Sequence, residues 1–305
     1  MRTVLEVVAP VFLLIGAGYF SALRNVLNAD QFRGLGWFTF SLAAPALLFA
    51  GGTAGHGGGG GAALAFFLGS GVLYVAALWG AKRRMSLSNA GTFALNVSFG
   101  NSVMMGIPLI AAAYGQAGLA VMLTILALHS MVMLGTATVV AEIGQNAGAA
   151  WPKVLRATVA GVVRNPIVMA VLAALIWSQT GVPLPGFFRR TLELLGQAAP
   201  PVALFCLGGS LLGFSVRGAV PELATTVLLK LLAQPALVWL ACLWLDLGSL
   251  ETAVAVTAAA MPTGANAFLM AQRYAVGQDR SGAAVLVGTA LSVLTLGALV
   301  GWFRG

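Results

Sequence analysis

Two stretches of this 305-residue chain carry residue types able to bind a solute without chemistry of their own. The first reads Asn96-Val97-Ser98-Phe99-Gly100-Asn101-Ser102-Val103-Met104-Met105-Gly106-Ile107-Pro108-Leu109. The second reads Ala258-Ala259-Ala260-Met261-Pro262-Thr263-Gly264-Ala265-Asn266-Ala267-Phe268-Leu269-Met270-Ala271. Each sets Pro, Gly and Asn in the middle of an apolar run. Proline lacks a backbone donor, and its ring clashes with the carbonyl four residues earlier. At membrane depth such a break survives only where it lines a cavity or packs inside protein. The spacing predicts two broken helices whose second halves start at Pro108 and Pro262, with free N–H groups and a partial positive charge there. Two such termini suit an anion, particularly a carboxylate. The freed carbonyls, with the amides of Asn101 and Asn266, suit a cation such as Na⁺ instead. Asn96, Ser102 and Thr263 add neutral donors and acceptors, and Gly106 and Gly264 complete the candidate set. Neutral dipoles are expected to hold a permeating anion, because a fixed Arg would release it slowly.

Other chemistry is scarce. Glu6, Asp30, Glu142, Glu193, Glu222, Asp246, Glu251 and Asp279 all fall in loops or near the ends of apolar segments. A carboxylate proton relay is therefore disfavoured. His129 and Lys230 are the ionisable residues inside apolar segments. His129 reads either as a group that couples transport to a proton or as a neutral histidine bonded to a neighbouring helix. Lys230 reads first as a side chain snorkelling to the cytoplasmic face, with a role in drawing anions inward as the alternative. Cys206 and Cys242 sit in apolar segments and read as small core residues. No nucleophilic triad, paired acids, phosphate loop or metal-ligand spacing occurs, so neither an enzyme nor a resident cofactor or metal is expected; the coupling ion, if any, is Na⁺ or H⁺.

The elements that position these motifs follow from composition. Hydrophobic residues make up 59% of the chain and charged residues 8%, against roughly 45–50% and about 25% in average globular chains. A soluble protein of this length has no means to cover its surface, which leaves a polytopic helical membrane protein. Apolar stretches lie near 3–23, 34–53, 62–81, 90–113, 118–141, 158–178, 191–213, 222–245, 251–273 and 281–303. The first is expected to be a retained span, being long and lacking a small-x-small cleavage pattern. Loops after odd-numbered spans hold Arg24, Arg33, Lys82, Arg83, Arg84, Lys153, Arg156, Arg164, Arg217, Arg273 and Arg280; the other side holds Arg2, Arg189, Arg190 and Arg304. By the positive-inside rule both termini lie on the outer, periplasmic side of an inner membrane. The charges are too dispersed to track nucleic acid. The run Gly55–Gly61, interrupted by His56, reads as a flexible linker, and Trp151, Trp239, Trp244 and Trp302 read as interface anchors.

The halves also correspond. Pro10 falls on Pro166 and Pro45 on Pro201 at a shift of 156 residues, and Pro108 on Pro262 at 154. Two five-span repeats, 1–150 and 151–305, enter the membrane from opposite sides, which is the inverted-repeat plan of many secondary transporters. The expected fold is thus an all-α polytopic membrane protein of ten transmembrane helices, arranged as a 5+5 inverted repeat with broken, crossing helices 4 and 9.

The two motifs also resemble a known family. Gly100-Asn101-Ser102-Val103-Met104-Met105-Gly106-Ile107-Pro108-Leu109 is similar to the Gly-Asn-Thr-Gly-Phe-x-Gly-x-Pro-Leu signature of the auxin efflux carrier family, with Ser102, Val103 and Met104 departing from the usual Thr, Gly and Phe. Met261 to Phe268, followed by Ala271 and Tyr274, resembles that family's ninth-span pattern, and Asn165-Pro166 also fits. The resemblance covers the whole chain and implies a short bacterial member within the bile-acid/arsenite/riboflavin transporter superfamily. It further implies that spans four and nine cross at their prolines in a mobile domain of spans three to five and eight to ten. Spans one, two, six and seven would then form a scaffold and a homodimer contact. Small carboxylates are the substrates it implies for bacterial relatives. The expected function is a secondary carrier of small organic anions, with a Na⁺-coupled bile-acid-type carrier and a non-transporting membrane sensor as rivals.

Overall fold

The computed structural model describes residues 2–53, 59–145, 166–213 and 220–304. Residues 55–58 of the expected linker Gly55–Gly61 and the flank 151–164 of the sixth span lie outside the described residues, while Gly60 and Gly61 open a helix rather than a linker. The chain is nearly all helical. In order, the helices are α1 (Arg2–Leu23), α2 (Ala29–Phe38), α3 (Ala44–Gly52), α4 (Gly60–Lys82), α5 (Leu87–Ser98), α6 (Ile107–Gln145), α7 (Pro166–Gln179), α8 (Gly186–Gln197), α9 (Ala199–Leu211), α10 (Val220–Leu228), α11 (Gln234–Trp244), α12 (Ser249–Ala259), α13 (Ala265–Arg273) and α14 (Gln278–Arg304). Among the described residues, six helical stretches are long and apolar enough to cross a membrane: Ala29–Gly51, Gly60–Lys82, Ser102–Gln145, Gly186–Leu211, Pro221–Trp244 and Gln278–Arg304. Large apolar side chains stand exposed along them, among them Trp37, Val75, Leu240 and Leu294. A surface of this kind suits hydrocarbon rather than water.

Prolines shape the helices in a recurrent way. Three π turns, Thr39–Ala43, Ser102–Gly106 and Leu229–Ala233, link α2 to α3, lead into α6, and link α10 to α11. In each, the residue just before a proline (Ala44, Ile107 and Gln234) donates its N–H to the carbonyl five residues back. Pro45, Pro108 and Pro235 cannot donate to the carbonyl four residues back and sterically push it away, so the preceding turn widens. A proline pair also marks a joint within the expected seventh span, which runs on as the stretch Gly186–Leu211. Pro200 and Pro201 open α9, and the stretch before them folds as the separate, mostly exposed helix α8. Gly115 interrupts α6 with φ 65° and ψ −158°, a conformation that favours a residue without Cβ. It falls at the expected boundary between spans four and five.

Close packing relies on small residues. A Cβ on Gly18 of α1 would overlap the Phe205 carbonyl, and one on Gly208 of α9 the Ile15 carbonyl, so α1 and α9 touch backbone to backbone. α3 packs on α7 and α8, while α4, α5, α6, α11 and α12 pack among themselves. At one end Arg280 of α14 donates to Glu222 of α10 at 2.7 Å and to Asn89 of α5 at 2.8 Å, tying three helix starts together.

Candidate functional site

Two short helices form the frame. Ser86 caps α5 by accepting the Asn89 N–H, and α5 then runs through small residues to Ser98. α12 is likewise built of Ala, Val and Thr, and is buried on every side from Thr252 to Ala259. A helix apolar all round belongs inside protein. Both helices stop where the sequence motifs begin. Phe99 is extended (φ −93°, ψ 109°) and Asn101 is non-helical (φ −76°, ψ 58°).

The two breaks meet. Gly100 and Thr263 form an isolated antiparallel β-bridge. The Asn101 N–H donates to the Pro262 carbonyl at 2.8 Å, and the Gly264 N–H to the Phe99 carbonyl at 3.0 Å. Unpaired backbone groups are costly when buried, and the protein covers the rest of these breaks with its own donors. Thr263 Oγ1 donates to the Asn96 carbonyl at 2.8 Å. Gln234 Nε2 reaches the Ser98 carbonyl at 2.7 Å and Ser70 Oγ at 2.8 Å. Lys230 Nζ reaches the Ala259 carbonyl at 2.7 Å. The Asn101 carbonyl accepts from the Met105 and Gly106 N–H groups. The carbonyls freed by the breaks thus already hold protein donors, which weakens their case as Na⁺ ligands.

What remains open is side-chain amide. Asn101 Nδ2, Asn96 Oδ1 and Gln234 Oε1 are buried with no hydrogen-bond partner within the protein. Asn96 Nδ2 donates to Ser281 Oγ at 2.9 Å, which fixes that side chain from α14. Ser102 Oγ makes only a long contact, 3.4 Å, with the Gly100 carbonyl. A buried donor left open beside neutral hydroxyls is an arrangement that can receive a carboxylate oxygen. A cavity of about 190 Å³, whose lining does not include these amides, lies between Val103, Met104, Ile107 and Pro108 on one side and Thr39, Phe40, Ala44, Ala199, Ala203 and Cys206 on the other. Among the described residues there is no cluster of His, Cys, Asp and Glu able to hold a metal ion.

The structure brings together Asn96, Asn101, Ser102, Pro262, Thr263 and Gly264, and Gly106 closes the π turn beside them. Asn266 differs: it lies in the first turn of α13 and is exposed rather than joined to the buried cluster. Pro108 also departs from expectation. The helical course resumes at Ser102 through the π turn, several residues before the proline, because Pro108 distorts the turn ahead of it instead of opening a helix. Pro262, by contrast, sits inside its break. His129 stacks on Phe99 with ring centroids 4.5 Å apart and meets Phe66 edge-on at 5.6 Å. Its Nε2 is buried without a partner, so the expected bond to a neighbouring helix through that atom is not made.

One buried polar residue escaped sequence reasoning, and another lies elsewhere than its first reading placed it. Lys230 does not snorkel: it is 1% exposed and bonded to the end of α12, where the break frees a carbonyl. Gln234, one turn further along, is wholly buried. The available signal was a Lys and a Gln four residues apart in an otherwise apolar run ending in proline. Tyr114 and Thr257, bonded at 2.9 Å, add a further tie between α6 and α12.

Comparison with known proteins extends the picture. Residues 3–300 match the family described as membrane transport protein. The chain is 29% identical over 315 residues to the "Putative malonate transporter" of Rhizobium meliloti, covering 98% of this chain and 96% of that one. It is 24% identical over 296 residues to the "Uncharacterized transporter YfdV" of Escherichia coli K12, covering 93% and 91%.

Proposed function

The chain belongs to the membrane transport protein family, and from that premise we propose that it is a secondary carrier moving small mono- or dicarboxylates across the inner membrane by alternating access about its two breaks. The observation that carries this reading is the backbone bridge between Gly100 and Thr263 with the unpartnered Asn101 amide beside it. Two interrupted helices joined inside the protein offer a solute site at mid-depth and a place where two packed groups of helices can shift. The same proposal has ten spans in a 5+5 inverted repeat and both termini on the outer side. The scaffold is α1–α3 and α7–α9, and the moving group is α4–α6 and α10–α14. The separate packing of α1 along α9 and of α4, α5, α11 and α12 among themselves supports it.

A relative named for malonate makes malonate the first probe. Purified protein in proteoliposomes loaded with unlabelled malonate is expected to accumulate labelled malonate in exchange, and other small carboxylates are expected to compete. Folded protein that exchanges none of them is a sensor rather than a carrier, and the reading falls. Omitting Na⁺ addresses coupling: exchange that stops without it restores the Na⁺-coupled alternative.

A further inference from the structure

Lys230 has a place in this site that hydrogen bonding alone does not exhaust. Among the Lys and Arg side chains described, it is the one that is buried. An ammonium has three donors, and one of them rests on the Ala259 carbonyl, the last residue of α12. The ammonium therefore stands at the negative end of that helix, where a cation is favoured. The ion pairs among the described residues are Asp30–Arg33, Arg190–Glu193 and Glu222–Arg280. None involves Lys230. A buried charge held only by dipoles is costly, and an anionic solute would supply the negative charge that no described side chain gives it.

Where that charge would come from follows from the chain path. Ala259 is three residues from Pro262, at most about 11 Å of extended chain, and the Pro262 carbonyl holds Asn101. Resting on the carrier reading above, we propose that Lys230 is the fixed counter-charge of the site: it selects anionic over neutral solutes received at the Asn101 amide. The residue acts through space and through α12, so it determines specificity without having to touch the solute. A single negative charge within about 11 Å of the ammonium, in an effective dielectric of about 20, would gain about tenfold or more in affinity. A neutral solute of the same shape gains nothing from it.

The test compares malonate, its monoamide and neutral malonamide as competitors of labelled malonate exchange in proteoliposomes. Wild type should prefer them in that order. Lys230→Gln keeps a donor for the Ala259 carbonyl but loses the charge, and Lys230→Met fills the same space with apolar atoms. Both should fold, and in both the preference of malonate over malonamide should shrink by about tenfold or more. A role in packing alone would weaken all three competitors together and leave their ratio unchanged, which overturns the proposal. Loss of folded protein in both variants also overturns it, by assigning Lys230 to structure alone. Wild type that exchanges no carboxylate is read before any substitution and overturns the carrier reading itself, together with this inference.

Discussion

Lys230 and Gln234 lie one turn apart on the same helical stretch, and each holds the carbonyl end of a different broken helix. Lys230 takes Ala259 of α12 at 2.7 Å, and Gln234 takes Ser98 of α5 at 2.7 Å. A single segment therefore fixes both breaks, and the widened turn Leu229–Ala233, forced by Pro235, is where that segment does so. Gln234 also reaches Ser70 of α4, so four helices share one small polar knot.

Asn101→Ala should lower malonate exchange by about tenfold or more, since hydrogen bonds to charged groups contribute about 1.5–3 kcal/mol, whereas Asn266→Ala, outside the buried cluster, should exchange close to wild type. Asn101 Nδ2 has no partner within the protein, so Asn101→Ala should fold normally, as judged by gel filtration and thermal unfolding in detergent. Asn266 is exposed and its removal should be equally harmless to the fold. A wild-type exchange rate in Asn101→Ala would remove the proposed site.

Thr263→Val keeps the shape of the side chain and deletes the donor that covers the Asn96 carbonyl. That carbonyl is then buried and unpaired, at a cost of about 1–3 kcal/mol. A lower melting temperature in detergent is the expected outcome, with Thr263→Ser close to wild type. Equal melting of the Val and Ser variants would mean that the hydroxyl does not support the break.

Pro108→Ala returns a backbone donor to the Met104 carbonyl and lets the turn Ser102–Gly106 close to regular α geometry. Removing one residue of π excess rotates the residues ahead of it by about 100°, which turns Asn101 and Ser102 away from Pro262. Exchange should fall while thermal stability holds. Unchanged exchange would show that the widened turn is not needed to aim them.

Gly18→Ala places a methyl against the Phe205 carbonyl, whereas Gly16→Ala, on the same helix, meets nothing within 4 Å. Overpacking costs about 1–3 kcal/mol, so the Gly18 variant should melt earlier and the Gly16 variant should not. Identical melting curves would mean that α1 and α9 do not rely on that close approach.

Much of this arrangement was legible in the residues. Pro, Gly and Asn in mid-span located both breaks, and scarce charge located the membrane. What sequence left out came from contacts distant along the chain. Gln234 and Ser98 are 136 residues apart, and nothing local announces their bond. Lys230, read by its depth in an apolar run, belongs at the membrane surface; only the carbonyl freed 29 residues later keeps it inside. Pro108 misled for a different reason. Its clash acts backwards on the preceding turn, so the interruption falls at Phe99–Asn101, well ahead of the proline that accompanies it.

The bridge between the breaks is made by the main chain of Phe99, Asn101, Pro262 and Gly264. Nothing in those two bonds depends on the side chains at Ser102, Val103 or Met104, which stand next to them. Substitution at those three positions can therefore reshape the surroundings of the joint while the joint itself stays intact. On the proposed carrier reading, a lineage built on this joint is free to drift from one solute to another by small steps, without passing through an ancestor that fails to assemble.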